Sequence, residues 1–590
     1  IRGGTHDDIF QVIAESPVLS LDGGSADTAD LVDYSRVNGN LRINLADAPS
    51  GQNGEITGVE GIRGNNAGPD SLHSAELIGP DGGATWSIGD LAGDGLADGV
   101  NDGQVAFDDQ TITFMDFNVL TGGAGADTFN QSGGVVLGIL NGGAGDDVFN
   151  VEVMGANAGT SVIGGAGADS LILRGGEESG LMTYTAAEGG GEFDYNLVDA
   201  HYKVSHQGVE NVRDRTLAES LDVRGSSAAE TFSLANGRFW VNGGDAVEYS
   251  NKRDIAVRSG INDVIEIADN LVVENTLTLA NGTVIANDPA NNSITAADLI
   301  LDSTRDVGLF SARLRTSVDN LSVRNSAGDI YLQEQNALNL AEFNADGVFD
   351  LRLLTGDLTS SESLLAADVF RIAADNGDVT LTGENQLRDD VAVSGNRVEL
   401  HNASTLTLVE IDADDLYLRT QRGIEGDGPI TVAGLTEIDA GGDVLMDFAT
   451  NDFNQLRVTN AVNLTVVDQN AIELLDINAS GTVTVRSTNT VTLNDSVTGS
   501  NGVDVSSEMG SIDQNGSITT SSGAVVVSAG NGEVNLGEDA KIVSNGGSVS
   551  ISAGAGNVNM GGDTRIAANG GDDEGGAGSV GRGGCGVDDA

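Results

Sequence analysis

The sequence predicts an all-β fold, an elongated right-handed parallel β-helix of roughly 20–24 residues per coil. Three observations predict it: a recurring glycine-aspartate nonapeptide, a C-terminal register of repeated short strands, and a composition unsuited to one compact core. The nonapeptide occurs as Gly122-Gly-Ala-Gly-Ala-Asp127-Thr-Phe129-Asn130, Gly142-Gly-Ala-Gly-Asp-Asp147-Val-Phe149-Asn150 and Gly164-Gly-Ala-Gly-Ala-Asp169-Ser-Leu171-Ile172. Its glycines permit a turn at positive φ, its aspartate offers oxygen to a hard cation, and its bulky apolar residue pins the next strand inside. The aspartates are 20 and then 22 residues apart, one per coil. Degenerate copies flank them: Gly3-Gly-Thr-His6-Asp-Asp8 on one side, Asn65-Asn-Ala-Gly68-Pro-Asp70 next, and Gly225-Ser-Ser-Ala-Ala-Glu230 beyond.

The second observation lies near the end of the chain. Aligning Val525 with Val549, Val534-Asn-Leu536 with Val558-Asn-Met560 and Ile542 with Ile566 gives a shift of 24. One unit earlier, Val505 maps to Val527 and Ile512 to Val534 at a shift of 22. Each unit holds three short strands, the content of one coil, with alternate residues such as Val534 and Leu536 inward and Asn535 outward. At about 4.8 Å of rise per coil, a chain this long is expected to form a rod of roughly 130 Å.

Composition gives the third. A chain of 590 residues with 83 glycines, 6 prolines and 4% aromatics lacks the bulky residues of a large globule, whereas stacked repeats need only small residues packed on their neighbours. There are 89 acidic against 28 basic residues, only three of them lysines (Lys203, Lys252 and Lys541), for a formal charge of −61. That field opposes nucleic acid and anionic membrane surfaces and favours divalent cations. No run approaches the length of a membrane span. One cysteine, Cys585, makes no internal disulfide; it is either incidental or a junction to another chain.

The expected organisation is a solenoid with the nonapeptides over 1–175, including an acidic loop at 90–103; degenerate transitional coils over 176–256; a regular stalk over 257–571; and a Gly/Asp-rich flexible tail over 572–590. The chain starts without Met and inside a repeat, the expectation for a piece or a processed product of something longer.

The runs Thr85-Trp86-Ser-Ile, Val119-Leu-Thr-Gly-Gly-Ala-Gly-Ala-Asp127 and Leu140-Asn-Gly-Gly-Ala-Gly-Asp-Asp147 resemble modules of very large secreted bacterial adhesins with repeat-in-toxin-like glycine-aspartate motifs. The coils Gly523-Ala-Val-Val-Val-Ser-Ala-Gly and Ile542-Val-Ser-Asn-Gly-Gly are similar to the filamentous haemagglutinin-type β-helix of two-partner secretion proteins. Together they resemble biofilm-matrix adhesins of the CdrA type. The resemblance implies an extracellular location at the bacterial cell surface, export through an outer-membrane partner, a rod-shaped stalk, and attachment to cells or exopolysaccharide. An N-terminal secretion module of that family is not seen.

The candidate calcium ligands are Asp127, Asp147 and Asp169, with Asp8 and Asp70 in the degenerate copies. The competing reading of the same residues is that glycine makes the corner and aspartate caps its own turn. Stacked in register, the carboxylates would lie roughly 5 Å apart and repel unless screened or bridged by a cation. A weaker set, Asp90, Asp94, Asp98 and Asp102, has calcium-ligand chemistry without the alternate-residue spacing of an EF-hand loop. His201 and His206 read as surface residues rather than metal ligands. The pairs Asp389-Asp390 and Asp414-Asp415 point to opposite faces of their strands, so neither forms a catalytic site alone. The expected role is structural, an adhesin stalk stabilised by calcium that meets exopolysaccharide, other receptors or further copies of itself. The alternatives are a β-helix polysaccharide lyase or hydrolase and a surface-layer or fibre subunit.

Overall fold

The computed structural model describes residues 1–12, 21–24, 30–45, 50–51, 54–65, 74–89, 102–132, 138–153, 158–197, 200–226, 228–366, 368–569 and 579–580. The described chain is all-β, with no helix, and its strands stack in parallel as a β-solenoid of about 21 residues per turn. It comprises two units, residues 1–295 and 296–590.

In the second unit the coils repeat with little interruption. Val491–Leu493, Ser496–Gly499 and Gly502–Ser507 form one coil, and Ile512–Gln514, Ser517–Thr520 and Val525–Ala529 form the next, strand over strand. Val525 pairs with Val549, Val534 with Val558 and Ile542 with Ile566, the register expected from the shift of 24. Val505 pairs with Val527 and Ile512 with Val534, the expected shift of 22. Val534 and Leu536 are buried while Asn535 between them is partly exposed, as a period of two dictates. Interior valines, leucines and isoleucines stack in columns, each contributing about 1.5–3 kcal/mol by leaving water. Outside, asparagine stands on asparagine: Asn535 accepts from Asn559 at 2.8 Å and Asn545 from Asn569 at 2.9 Å.

The first unit follows the same plan with extra strands inserted. Among the described residues, four times a coil opens into an antiparallel meander whose outer strands rejoin the parallel columns. One meander is Leu41–Asn44, Ser50–Gly51 and Gly54–Thr57, and a second is Thr85–Ile88, Gly103–Phe107 and Gln110–Met115. The third is Leu181–Ala187, Gly190–Leu197 and Ala200–Gln207, and the fourth is Thr231–Ala235, Arg238–Val241 and Val247–Tyr249. The strands on either side of the expected acidic loop, Thr85–Ile88 and Gly103–Phe107, are antiparallel neighbours in the second. Asp90, Asp94 and Asp98 of that loop, together with Asp70 and Cys585, lie outside the described residues.

Burial corrects the reading of one histidine. His201 is exposed and lies 3.3 Å from Asp194, as a surface residue should, but His206 is 7% exposed. It sits among Tyr184 and Phe193 because the meander folds its strand over an aromatic cluster.

Candidate functional site

The nonapeptide aspartates face inward. Asp127, Asp147 and Asp169 are 1%, 0% and 0% exposed, and each carboxylate joins two successive coils. Asp127 Oδ1 accepts the Ala84 N–H at 2.6 Å, Asp147 Oδ1 accepts the Asp127 N–H at 2.7 Å, and Asp169 Oδ1 accepts the Asp147 N–H at 2.8 Å. Glu210 continues the column, its Oε2 accepting the Asp169 N–H at 2.7 Å.

The pattern recurs along the unit. Asp30 Oδ1 accepts the Asp8 N–H at 2.8 Å and Glu60 Oε2 the Asp30 N–H at 2.9 Å. Asp263 Oδ1 accepts the Glu230 N–H at 2.9 Å. The second oxygen turns back onto its own corner: Asp8 Oδ2 accepts the Gly4 N–H at 2.6 Å, Asp127 Oδ2 the Gly123 N–H at 3.0 Å, and Glu230 Oε2 the Ser226 N–H at 2.6 Å. A corner N–H facing inward would otherwise be buried unpaired, so the carboxylate satisfies a backbone donor that no ladder reaches.

This arrangement explains the first glycine of the motif. A Cβ on Gly122 would lie 2.4 Å from Asp127 Oδ2, one on Gly142 2.1 Å from Asp147 Oδ2, and one on Gly164 2.6 Å from Asp169 Oδ2. The following glycine answers a different need, since Gly143 and Gly165 have φ of 96° and 109°, where side chains are strained.

Burial raises the pKa of Asp127, Asp147 and Asp169 above the usual carboxylate range. Asp147 is pushed up to about 7, with the charges of Asp169 and Asp127 adding to the effect of burial. Asp147 Oδ2, Asp169 Oδ2 and Asp30 Oδ2 are buried with no hydrogen-bond partner. Taking a carboxylate out of water disfavours its charged form, which is the sense of the shifts of Asp147 and Asp169.

The column brings Asp127, Asp147 and Asp169 into line, with Asp8 in the same corner position of an earlier coil. Asp102 stands apart, its Oδ1 accepting the Asp116 N–H at 3.1 Å. Calcium takes six to eight oxygens. Among the described residues no three His, Cys, Asp or Glu side chains converge on a point that could hold a metal, and the column supplies one carboxyl per coil.

The sequence reading passed over two clefts of the first unit. One, of about 490 Å³, is lined by Arg213, Arg215, Arg238, Glu248 and Asp269. The other, of about 530 Å³, has Trp240 in its wall, Glu188 and Asp245 at its edge, and Tyr184, His206 and Phe239 beneath. His206 is neutral there, its pKa lowered to about 4 by burial. The signals available were the turn pairs Glu188-Gly189 and Asn236-Gly237 between alternating apolar residues, which mark hairpins rather than coil corners.

Residues 327–394, 395–460 and 480–541 match a family described as repeats of unknown function (DUF5649). The matches cover about a third of the chain, all within the second unit, and show likeness in its repeats. No curated protein matches the chain.

Proposed function

We propose that this chain is a structural protein, a stalk of an extracellular bacterial adhesin that attaches cells to one another or to exopolysaccharide. The observation that carries the proposal is the corner column. Each nonapeptide coil takes its register from the next through a buried carboxylate, so that part of the stack resists slipping and splaying. A stack built this way holds attachment points apart instead of closing around a substrate. The resemblance of Val119–Asp127 and Gly523–Gly530 to secreted adhesin modules supports the surface location and the outer-membrane export partner. Calcium enters the proposal as a counter-ion of a chain with formal charge −61, which keeps neighbouring stalks apart until cations or a ligand join them.

The test is retention. Beads coated with the purified chain are mixed with bacterial matrix exopolysaccharide, and both bound polysaccharide and released sugar are measured. Saturable retention without release of reducing ends or unsaturated sugars is expected. Turnover would instead make the protein a polysaccharide-cleaving enzyme, and absence of retention would remove polysaccharide as its partner.

A further inference from the structure

We propose that the cleft of about 530 Å³ shared by the third and fourth meanders is a binding site for a linear aliphatic polyamine. Such a site takes a free small molecule and is independent of the adhesive reading. The third meander contributes Tyr184, Glu188 and His206, and the fourth contributes Phe239, Trp240 and Asp245. Tyr184 and Phe239 join the two, their ring centroids 5.1 Å apart and their planes at 65°, so one aromatic floor runs under both.

His206 is the residue that asks for a ligand. It is 7% exposed, and neither Nδ1 nor Nε2 has a hydrogen-bond partner. A buried polar group left this way costs free energy, and the protein around it offers only the rings of Tyr184 and Phe193, 6.1 and 5.9 Å away between centroids. The imidazole lines the cleft, so a molecule seated there meets it. Burial keeps the ring neutral, which leaves one nitrogen as an acceptor for an incoming N–H. A primary ammonium carries three such donors.

Charge and wall chemistry decide the class of ligand. Glu188, Glu230 and Asp245 line this cleft, and no arginine or lysine does. Glu188 and Asp245 are exposed, and among the described residues neither carboxylate has an ion-pair or hydrogen-bond partner. Arg238 places its guanidinium 5.7 Å from the Trp240 centroid but belongs to the lining of the other cleft. The acids therefore favour a cation. A metal ion does not fit, because among the described residues no three carboxylate, imidazole or thiol groups converge on a point that could hold one. An alkyl chain does fit: its methylenes lie on Tyr184, Phe239 and Trp240 while its ammonium ends reach outward to carboxylates, as lysine stems do on apolar surfaces. Acids supplied by separate segments call for separated charges, hence a polyamine rather than a single amine.

Trp240 is partly exposed and reports binding by intrinsic fluorescence, because the other tryptophan, Trp86, is 0% exposed. The full chain is titrated with 1,4-diaminobutane, spermidine and, as a hard-cation control, magnesium, in 0.15 M sodium chloride to screen the long-range pull of a charge of −61. A saturable change with one spermidine per chain is expected by fluorescence and calorimetry, and none with magnesium. Trp240→Ala, His206→Phe and Glu188→Gln/Asp245→Asn should each weaken spermidine binding roughly tenfold, with far-ultraviolet dichroism unchanged. Glu538→Gln/Asp539→Asn removes the same charge from exposed positions of the second unit and should leave the affinity as it was. Equal weakening by both charge variants, or uptake of many spermidines without saturation, would mean counter-ions on a polyanion and would overturn the assignment. Tighter binding of trilysine than of spermidine, lost in Trp240→Ala, would also overturn it by giving the cleft to a protein partner. Unaltered affinity in all three cleft variants would refute the site and leave the adhesive function untouched.

Discussion

The carboxyl of Asp147 does two separable things, and substitutions distinguish them. Its Oδ1 accepts the Asp127 N–H, and its Oδ2 is buried without a partner beside Gly142. Asp147→Asn keeps the acceptor, whereas Asp147→Ala leaves a buried donor unpaired and is expected to destabilise by about 1–3 kcal/mol in urea unfolding. The pH dependence follows from the shift of Asp147 from 3.8 to about 7. Between those values the folded chain holds a proton that the unfolded chain has released, so this contribution is full at acid pH and is lost as pH rises through about 7. His206, lowered from 6.5 to about 4, acts in the opposite sense: its contribution is lost as pH falls through that window. Asp147→Asn should therefore reduce the loss of stability toward neutral pH, Asp127 and Asp169 contributing the same sign, and leave the acid-side loss in place; an unchanged profile would show that Asp147 is ionised throughout. Gly142→Ala puts a Cβ 2.1 Å from Asp147 Oδ2 and 2.4 Å from Gly164 O, and about 1–3 kcal/mol of overpacking is expected.

Strands in this chain are short, and columns rather than single strands carry the packing. Trp86, Phe129 and Phe149 occupy one register position on successive coils, with ring centroids 5.4 and 4.9 Å apart and planes within 9°. Phe129→Ala opens the middle of that stack and should destabilise by about 3–5 kcal/mol. Lys252 and Asp214 form another link between coils, 3.1 Å apart, their side chains 0% and 1% exposed. Lys252→Met removes one charge of a buried pair and is expected to destabilise by about 3–5 kcal/mol, with most of the loss recovered in Lys252→Met/Asp214→Asn because no lone charge remains. Equal instability of the single and double variants would show that the lysine acts through packing alone. The column positions were readable from sequence because the apolar residue two places after each nonapeptide aspartate repeats its spacing. The C-terminal shifts of 22 and 24 were readable for the same reason, since paired residues there are nearly identical. The inward turn of the aspartates was not readable: a corner Asp looks the same whether it meets water, a cation or a backbone N–H, and only the neighbouring coil decides. The meanders were missed because inserted antiparallel strands alternate just as solenoid strands do, and the Lys252–Asp214 pair joins residues too far apart in sequence for any local pattern to register.

At the scale of the whole molecule the charge of −61 sets the conditions under which both units work. Self-repulsion destabilises a compact acidic chain and is screened as the Debye length falls from about 30 Å at 0.01 M salt to about 8 Å at 0.15 M. Sodium chloride over that range should raise the unfolding temperature. Calcium at matched ionic strength should raise it further, because a divalent ion concentrates more strongly at a polyanionic surface. The decisive comparison is Asp127→Ala/Asp147→Ala/Asp169→Ala. These carboxylates are buried and accept backbone N–H groups, so the variant should start from a lower unfolding temperature yet keep the full calcium increment. Loss of the increment, with loss of saturable heat in a calcium titration, would make the column a metal site after all and would mean that the corners rearrange to free their oxygens. Retention places the ion on the outer acidic surface, where it can also join one copy of the chain to the next.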